Sequence, residues 1–226
     1  MKIICKNKDT IATGWVIANF PDDQPGAGAG LGASFFVKAI YRLRPDEVPI
    51  PWADGPVMGS ADIAIDGNPH HGISYASDWV PYKPCGEFLA VGTAHCPPGK
   101  PVDSFQVRMQ VGAASKSLDV IGDRVWQKTF VGHKKPGPAS PVKKVPLSYA
   151  HAWGGLEYRY NPVGRGYQTD AMPNLEVPGD HALKYSAEAQ PAGFGPIPPA
   201  WPQRSETLRG PDGQWERHRW PWPPDH

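Results

Sequence analysis

The chain has 226 residues and a formal charge of +1, with 23 Lys and Arg against 22 Asp and Glu. A near-neutral chain lacks the overall basic charge that binding to nucleic acid or anionic lipid requires, so we expect neither partner. Pro (28) and Gly (25) are frequent enough to interrupt long helices throughout, which excludes a helical bundle or coiled coil.

The N-terminus becomes polar after Ile4, so the hydrophobic segment of a signal peptide is missing. No apolar run reaches the length of about 18 residues that a membrane-spanning helix needs. Cys5, Cys85 and Cys96 are odd in number, which favours reduced thiols over a disulfide framework. We therefore expect a cytoplasmic protein.

Period-two alternation predicts a half-buried strand from Phe35 to Leu43. Lys38 and Arg42 fall on its polar side. The buried side is predicted to consist of Phe35, Val37, Ala39, Tyr41 and Leu43.

The clearest hairpin pairs Phe105–Val111 with a returning strand at Lys116–Ile121. Glu87–Val91 and Gln127–Val131 are further strand candidates. Their spacing is typical of all-β proteins, so we predict a mainly antiparallel sandwich or barrel-like fold with long Pro- and Gly-rich loops.

Composition predicts loops at Pro21–Gly32 and Gly132–Pro146. From Arg124 to Leu156 there are six Lys or Arg and no Asp or Glu, a pattern more typical of a solvated loop than of a docking surface. Short helices are predicted at Pro146–Trp153 and Asp180–Glu188. Residues 1–226 are predicted to form one domain, strand-rich over 1–131 and loop-rich over 132–226.

Several patterns that carry chemistry are incomplete in this chain. The glycines at 28–32 precede a strand instead of following one, which argues against a dinucleotide site. Cys85, His95 and Cys96 lack the spacing of a zinc site. Ser148 and His151 are close in sequence, but the strained turn of a serine hydrolase is absent. We therefore expect no metal, no cofactor and no enzymatic activity.

The C-terminal tail is rich in tryptophan and proline. Flat Trp rings can stack on sugars, but in such a tail they more often anchor an irregular chain on the core. The Trp residues concerned are Trp201, Trp215, Trp220 and Trp222.

The segment Asn161–Tyr167, with sequence NPVGRGY, stands out in the loop-rich part. Arg165 lies between two glycines, where the backbone can approach another chain closely. Its guanidinium group suits carboxylates and carbonyls. Two interpretations are open: Arg165 binds a partner, or it pairs internally with Glu157 or Glu176 and holds loops in place.

This segment resembles the domain of unknown function 2169 family, together with Met172–Glu176 and Ala192–Pro198. The resemblance covers about residues 10 to 224. It extends upstream through Asp78–Pro84, Gly99–Val102, Gly122–Trp126 and Pro146–Tyr149. Family members usually continue beyond the WPWPPD segment, whereas this chain stops at His226, so we expect a shortened C-terminus.

Members of that family accompany bacterial type VI secretion effectors. The resemblance implies a non-catalytic adaptor or chaperone whose partners are a protein effector and the secretion spike protein. The alternative is a carbohydrate-binding module or a cell-wall hydrolase on a β scaffold. The residues predicted to contact the partner are Trp153, Arg159, Asn161, Arg165, Tyr167, Asn174 and Arg204.

Overall fold

The computed structural model describes residues 10–20, 30–52, 58–68, 71–78, 87–98, 100–179, 184–197 and 201. The chain divides into two compact units. Unit 1 comprises Met1–Asp62, Ser77–Gly86 and Leu208–His226, and unit 2 comprises Ile63–Ala76 and Glu87–Thr207. The organisation as one domain stays a prediction.

Unit 1 contains two antiparallel pairs of strands. The longer pair joins β1 (Thr10–Phe20) to β2 (Gly30–Ala39), and the shorter joins β3 (Tyr41–Arg42) to β4 (Ile50–Pro51). The predicted loop at Pro21–Gly32 is therefore wrong at residues 30–32, which lie in β2, and residues 21–29 lie outside the described ranges.

The predicted burial of the 35–43 strand is wrong where side chains are described. Val37 is 66% exposed, and Tyr41 and Leu43 are exposed as well. Lys38 lies on the covered side, with its side chain only 12% exposed, because its ammonium pairs with Asp78 at 2.8 Å. A lysine with a carboxylate partner can occupy the covered face that the alternation assigned to apolar residues.

Unit 2 is built from short strands around one longer hairpin. Its strands are β5 (Ile63–Ala64), β6 (Ile73–Tyr75), β7 (Thr93–His95), β8 (Ser104–Val111), β9 (Ala114–Ile121), β10 (Trp126–Lys128), β11 (Lys134–Pro136), β12 (Lys144–Pro146), β13 (Trp153–Gly154), β14 (Arg165–Gly166) and β15 (Leu175–Glu176).

The fold is all-β, as predicted, with mainly antiparallel pairs and almost no helix. Strands β8, β9 and β15 form a three-stranded sheet, β13 and β14 pair in parallel, and the described strands close no barrel. The predicted hairpin is confirmed as β8 and β9. Its Gly112 has φ of 57°, a conformation that suits glycine in a two-residue turn.

Other local predictions are wrong in part. Residues 87–91 form no strand, although the Ala90 N–H donates to the Phe194 carbonyl at 2.8 Å. The predicted strand at 127–131 ends at Lys128, and the predicted loop at 132–146 contains β11 and β12.

The predicted helix at 146–153 is reduced to a 3₁₀ turn at Tyr149–His151, because the backbone at Trp153 pairs with β14. Residues 184–188 of the second predicted helix form turns, and residues 180–183 lie outside the described ranges. No helix in the described ranges is long and apolar enough to span a bilayer.

The inner face of the three-stranded sheet supplies the core of unit 2. Leu118, Val120 and Leu175 are completely buried on it. Phe105 and Val107 of β8 pack against the same clusters from a partly buried position. Val163 of the NPVGRGY segment packs against this core, and Ala152, next to β13, forms a parallel bridge with Leu175.

Candidate functional site

The NPVGRGY segment folds back against the Trp153–Gly155 backbone. The Arg165 N–H donates to Ala152 O at 3.0 Å, and the Tyr167 N–H donates to Gly154 O at 2.9 Å. A Cβ at Gly154 would overlap the carbonyl oxygen of Asn161. Glycine is therefore needed for the close approach of these two chain segments.

Asn161 lies at the centre of this arrangement and is completely buried. Its Nδ2 donates to Tyr149 O at 2.8 Å and to Trp153 O at 2.9 Å. Its backbone oxygen accepts from the N–H groups of Gly155 (3.0 Å) and Gly164 (3.2 Å). Asn161 thus joins the 3₁₀ turn, β13 and its own loop from the inside, and it offers no exposed surface to a partner.

Arg165 is half-buried and also bonds inward. Its Nε donates to Ala150 O at 2.9 Å, and its Nη1 donates to Asn174 Oδ1 at 3.2 Å. The prediction that Arg165 pairs with Glu157 or Glu176 is wrong. Glu176 instead forms ion pairs with Arg124 and Lys184. Arg165 has the loop-holding position of the internal interpretation, with carbonyl and amide oxygens in place of carboxylates.

Asn174 extends this hydrogen-bond network to the sheet. Its Nδ2 donates to Ile121 O and to Asp123 Oδ1, both at 3.0 Å. Its Oδ1 also lies 3.0 Å from His151 Nδ1, which donates because the oxygen can only accept. Burial is the largest influence on His151 and lowers its pKa, while the hydrogen bond to Asn174 acts in the opposite direction.

Trp153 and Tyr167 belong to an aromatic cluster. Trp153 is buried, and its Nε1 donates to Ser186 O at 3.2 Å. Its ring packs edge-on against Tyr167 with centroids 6.2 Å apart, and against Tyr158 at 6.1 Å. Both predicted contact residues therefore contribute to packing inside unit 2.

The remaining two predicted residues are Arg159 and Arg204. Arg159 is exposed, with its guanidinium carbon 4.5 Å from the centroid of the Tyr160 ring. Arg204 lies outside the described residues. That these seven residues contact a partner stays a prediction.

Sequence reasoning named Glu176 only as a possible partner of Arg165 and did not predict its buried ion pairs. Glu176 in β15 is 3% exposed and pairs with Arg124 and with Lys184 Nζ, the latter at 2.5 Å. The Tyr185 hydroxyl donates to it at 2.6 Å. Burial, followed by this contact with Glu176, raises the pKa of Tyr185. Arg124 lies 52 residues before Glu176 and Tyr185 lies nine residues after it, so no single helix or strand pattern in the sequence joins them.

Glu176, Lys184 and Tyr185 line a cavity of about 270 Å³ together with Trp153 and Leu175. The Glu176 carboxylate in this cavity is already neutralised by Arg124 and Lys184. In the described ranges, no group of three or more His, Cys, Asp or Glu side chains could hold a metal ion.

An exposed surface that the sequence led us to interpret as a solvated loop lies at the β10–β11 hairpin. Phe130 is fully exposed and Val131 is 74% exposed at its turn. The turn is closed by Thr129 N–H donating to His133 O at 2.7 Å. We call this surface the basic tip; it consists of Lys128, Phe130, Val131, Lys134 and Lys135, all exposed. The sequence signal that could have indicated the basic tip is the pair Phe130 and Val131 with lysines on both sides.

A second apolar surface is a cleft of about 190 Å³ at the turn end of β8 and β9. Lys116 lies in it, with Nζ donating to Gly193 O at 2.6 Å. Burial lowers the pKa of Lys116. Met109, Phe88 and Leu89 line the same cleft, and Phe88 is 56% exposed.

Comparison with known proteins gives one result. The family model described as an uncharacterized protein conserved in bacteria (DUF2169) matches residues 32–226. No curated protein and no solved structure matches the chain. Because the matched residues make up most of its length, the chain belongs to the domain of unknown function 2169 family.

Proposed function

We propose that this protein is a non-catalytic adaptor or chaperone that binds a type VI secretion effector in the cytoplasm and assists its loading onto the secretion spike. Family membership and the sequence resemblance described above support this role. The observation that carries a binding function is the basic tip, which presents Phe130 and Val131 to solvent on a hydrogen-bonded hairpin.

Covering these two side chains would stabilise a complex. Burial of a Phe or Val side chain contributes about 1.5–3 kcal/mol. Aromatic residues in the middle of a patch are also the usual centres of binding energy in protein interfaces. Lys128, Lys134 and Lys135 would steer an acidic effector surface onto the tip, because complementary charge raises association rates.

The NPVGRGY segment has a different role in this proposal. The side chains of Asn161 and Arg165 donate their described hydrogen bonds to groups within unit 2. We assign the segment to holding the loops that support the binding surfaces. A carbohydrate-binding role gains no support from Trp153 and Trp201, because both rings are buried.

The test is co-expression of the full chain with the effector encoded beside its gene, followed by affinity purification. We expect the effector to be retained by the unaltered protein. The double variant Phe130→Ser, Val131→Ser should lose most of it, while Leu156→Ser should retain it. Leu156 is a matched control because it is 91% exposed but lies outside the basic tip.

Two results would contradict the proposal. The first is that the unaltered protein retains no neighbouring protein at micromolar concentration. The second is that the double variant retains the effector as well as Leu156→Ser does, which would remove the basic tip from the interface.

A further inference from the structure

Strand β8 is the outer strand of the three-stranded sheet, whose order is β15–β9–β8. It is eight residues long, and its register with β9 continues through eight pairs without a bulge. It contains no proline, and Arg108 is its single charged residue. Exposed outer strands are usually protected by prolines, bulges, lysines or extreme shortness, and β8 has none of these.

The hydrogen-bond pattern shows which backbone groups of β8 face outward. The Gly122 N–H donates to Asp103 O at 2.9 Å, so this pair is hydrogen-bonded across the ladder. Such pairs alternate along an antiparallel ladder. Counting from Asp103, the odd-numbered residues of β8 bond to β9, and the backbone groups of Gln106, Arg108 and Gln110 point away from it.

These outward groups form no backbone hydrogen bond with any residue in the described ranges. The same edge is used for pairing just before β8 begins. There Val142 N–H donates to Val102 O at 2.8 Å, forming an antiparallel bridge. The edge therefore has a geometry that accepts a strand, and from Gln106 onward no described residue pairs with its backbone.

The two faces of β8 define the chemistry of a matching strand. Phe105, Val107 and Met109 lie on the partly buried face, and Met109 lines the apolar cleft beside Phe88. A strand added to β8 would place alternate side chains on this face. On the other face Arg108 is exposed, and an acidic residue opposite it would form a favourable cross-strand pair.

We infer that the outer edge of β8 binds an extended segment of the partner polypeptide by strand addition. In this segment apolar residues alternate with polar ones. The apolar residues face the apolar cleft lined by Met109, and one of the polar residues is acidic and lies opposite Arg108. This mode of recognition gains affinity from main-chain hydrogen bonds and specificity from the alternate side chains. The inference rests on the proposed adaptor function, because we take the segment to belong to the effector.

The test uses the full chain and a synthetic fluorescent peptide of about ten residues in which valine alternates with threonine and glutamate. Binding is measured by fluorescence anisotropy. Gln106→Pro removes an outward N–H and leaves the ladder to β9 intact, since proline is tolerated on an outer strand. Gln106→Thr is the matched control, because it removes the same side chain and keeps the N–H.

We expect the unaltered protein and Gln106→Thr to bind the peptide equally, and Gln106→Pro to bind it about tenfold more weakly. If Gln106→Pro does not fold, a peptide in which alternate residues are N-methylated replaces it in the test. We expect the unaltered protein to bind this peptide about tenfold more weakly than the unmodified one. Peptide binding should also slow hydrogen exchange at the N–H groups of Gln106, Arg108 and Gln110.

No binding by the unaltered protein, or undiminished binding of the N-methylated peptide, would overturn the inference. The outcome is separable from that of the adaptor proposal. If Gln106→Pro retains the effector as well as Gln106→Thr does, strand addition fails and the adaptor role stands. If the peptide binds at β8 but no effector is retained, the adaptor role fails and the binding edge stands.

Discussion

Arg165 and Asn174 lie nine residues apart and are joined by a hydrogen bond of 3.2 Å from Arg165 Nη1 to Asn174 Oδ1. Asn174 in turn bonds to Ile121 at the end of β9, and Arg165 bonds to Ala150 within the 3₁₀ turn. This pair thus ties the NPVGRGY segment to the three-stranded sheet. It makes the segment a part of the scaffold of unit 2.

Replacing Arg165 with Ala is expected to destabilise the protein. The change removes two donors and leaves Ala150 O without the bond from Arg165 Nε, so we expect a loss of about 1–3 kcal/mol in the free energy of unfolding. Denaturant unfolding measures this loss. Lys143→Ala is the control, since the Lys143 side chain is exposed in unit 2, and it should change stability little. Lost effector binding at unchanged stability would instead support direct contact between Arg165 and the partner.

Replacing Asn161 with Asp is expected to prevent stable folding. The Asp side chain is the same size as that of Asn, but its carboxylate cannot donate hydrogen bonds to the carbonyl oxygens of Tyr149 and Trp153. Burying an unpaired charge there is far less favourable than burying an amide. Soluble expression and the melting temperature measure the effect. Asn161→Asp with the stability of the unaltered protein would show that these two hydrogen bonds contribute little.

The sequence was most informative where the hydrophobic pattern is long and regular. The β8–β9 hairpin was predicted because Phe105, Val107 and Met109 alternate with polar residues over eight positions. The alternation near Val37 misled us about burial, because the ion pair between Lys38 and Asp78 spans 40 residues. A partner so distant leaves no mark in a local pattern.

The candidate site was predictable as a segment but not in its chemistry. The glycines around Arg165 indicated a close approach of two backbones, and the structure contains one at Gly154. Whether Arg165 bonds outward or inward depends on Ala150 and Asn174, whose positions follow from the packing of β13 and β15. The strands β11 and β12 are only three residues long and have a loop-like composition. β11 forms by pairing with its neighbour β10, whereas β12 depends on pairing with the distant strand β7.

Replacing Gly166 with Ala should be more harmful than replacing Gly132 with Ala. Both glycines have positive φ, 104° and 84°, so both substitutions introduce backbone strain. At Gly166 a Cβ would also lie 2.7 Å from the Trp153 ring, whereas at Gly132 nothing lies within 4 Å. We expect Gly132→Ala to cost about 1 kcal/mol and Gly166→Ala clearly more. Equal melting temperatures for the two variants would contradict the close packing at Gly166.

Acid should destabilise unit 2 through His151. Burial lowers the pKa of this imidazole in the folded protein below its ordinary value of 6.5. Between the lowered pKa and 6.5, the unfolded chain therefore binds a proton that the folded protein does not. Protonation favours unfolding in that window, so the contribution of neutral His151 is complete above pH 6.5 and is lost progressively as the pH falls.

Denaturant unfolding at pH 7.5 and pH 5.5 measures this loss. His151→Asn, which keeps an N–H donor near Asn174, should reduce the difference in stability between the two pH values. If His151→Asn shows the same difference as the unaltered protein, the acid sensitivity must come from other groups.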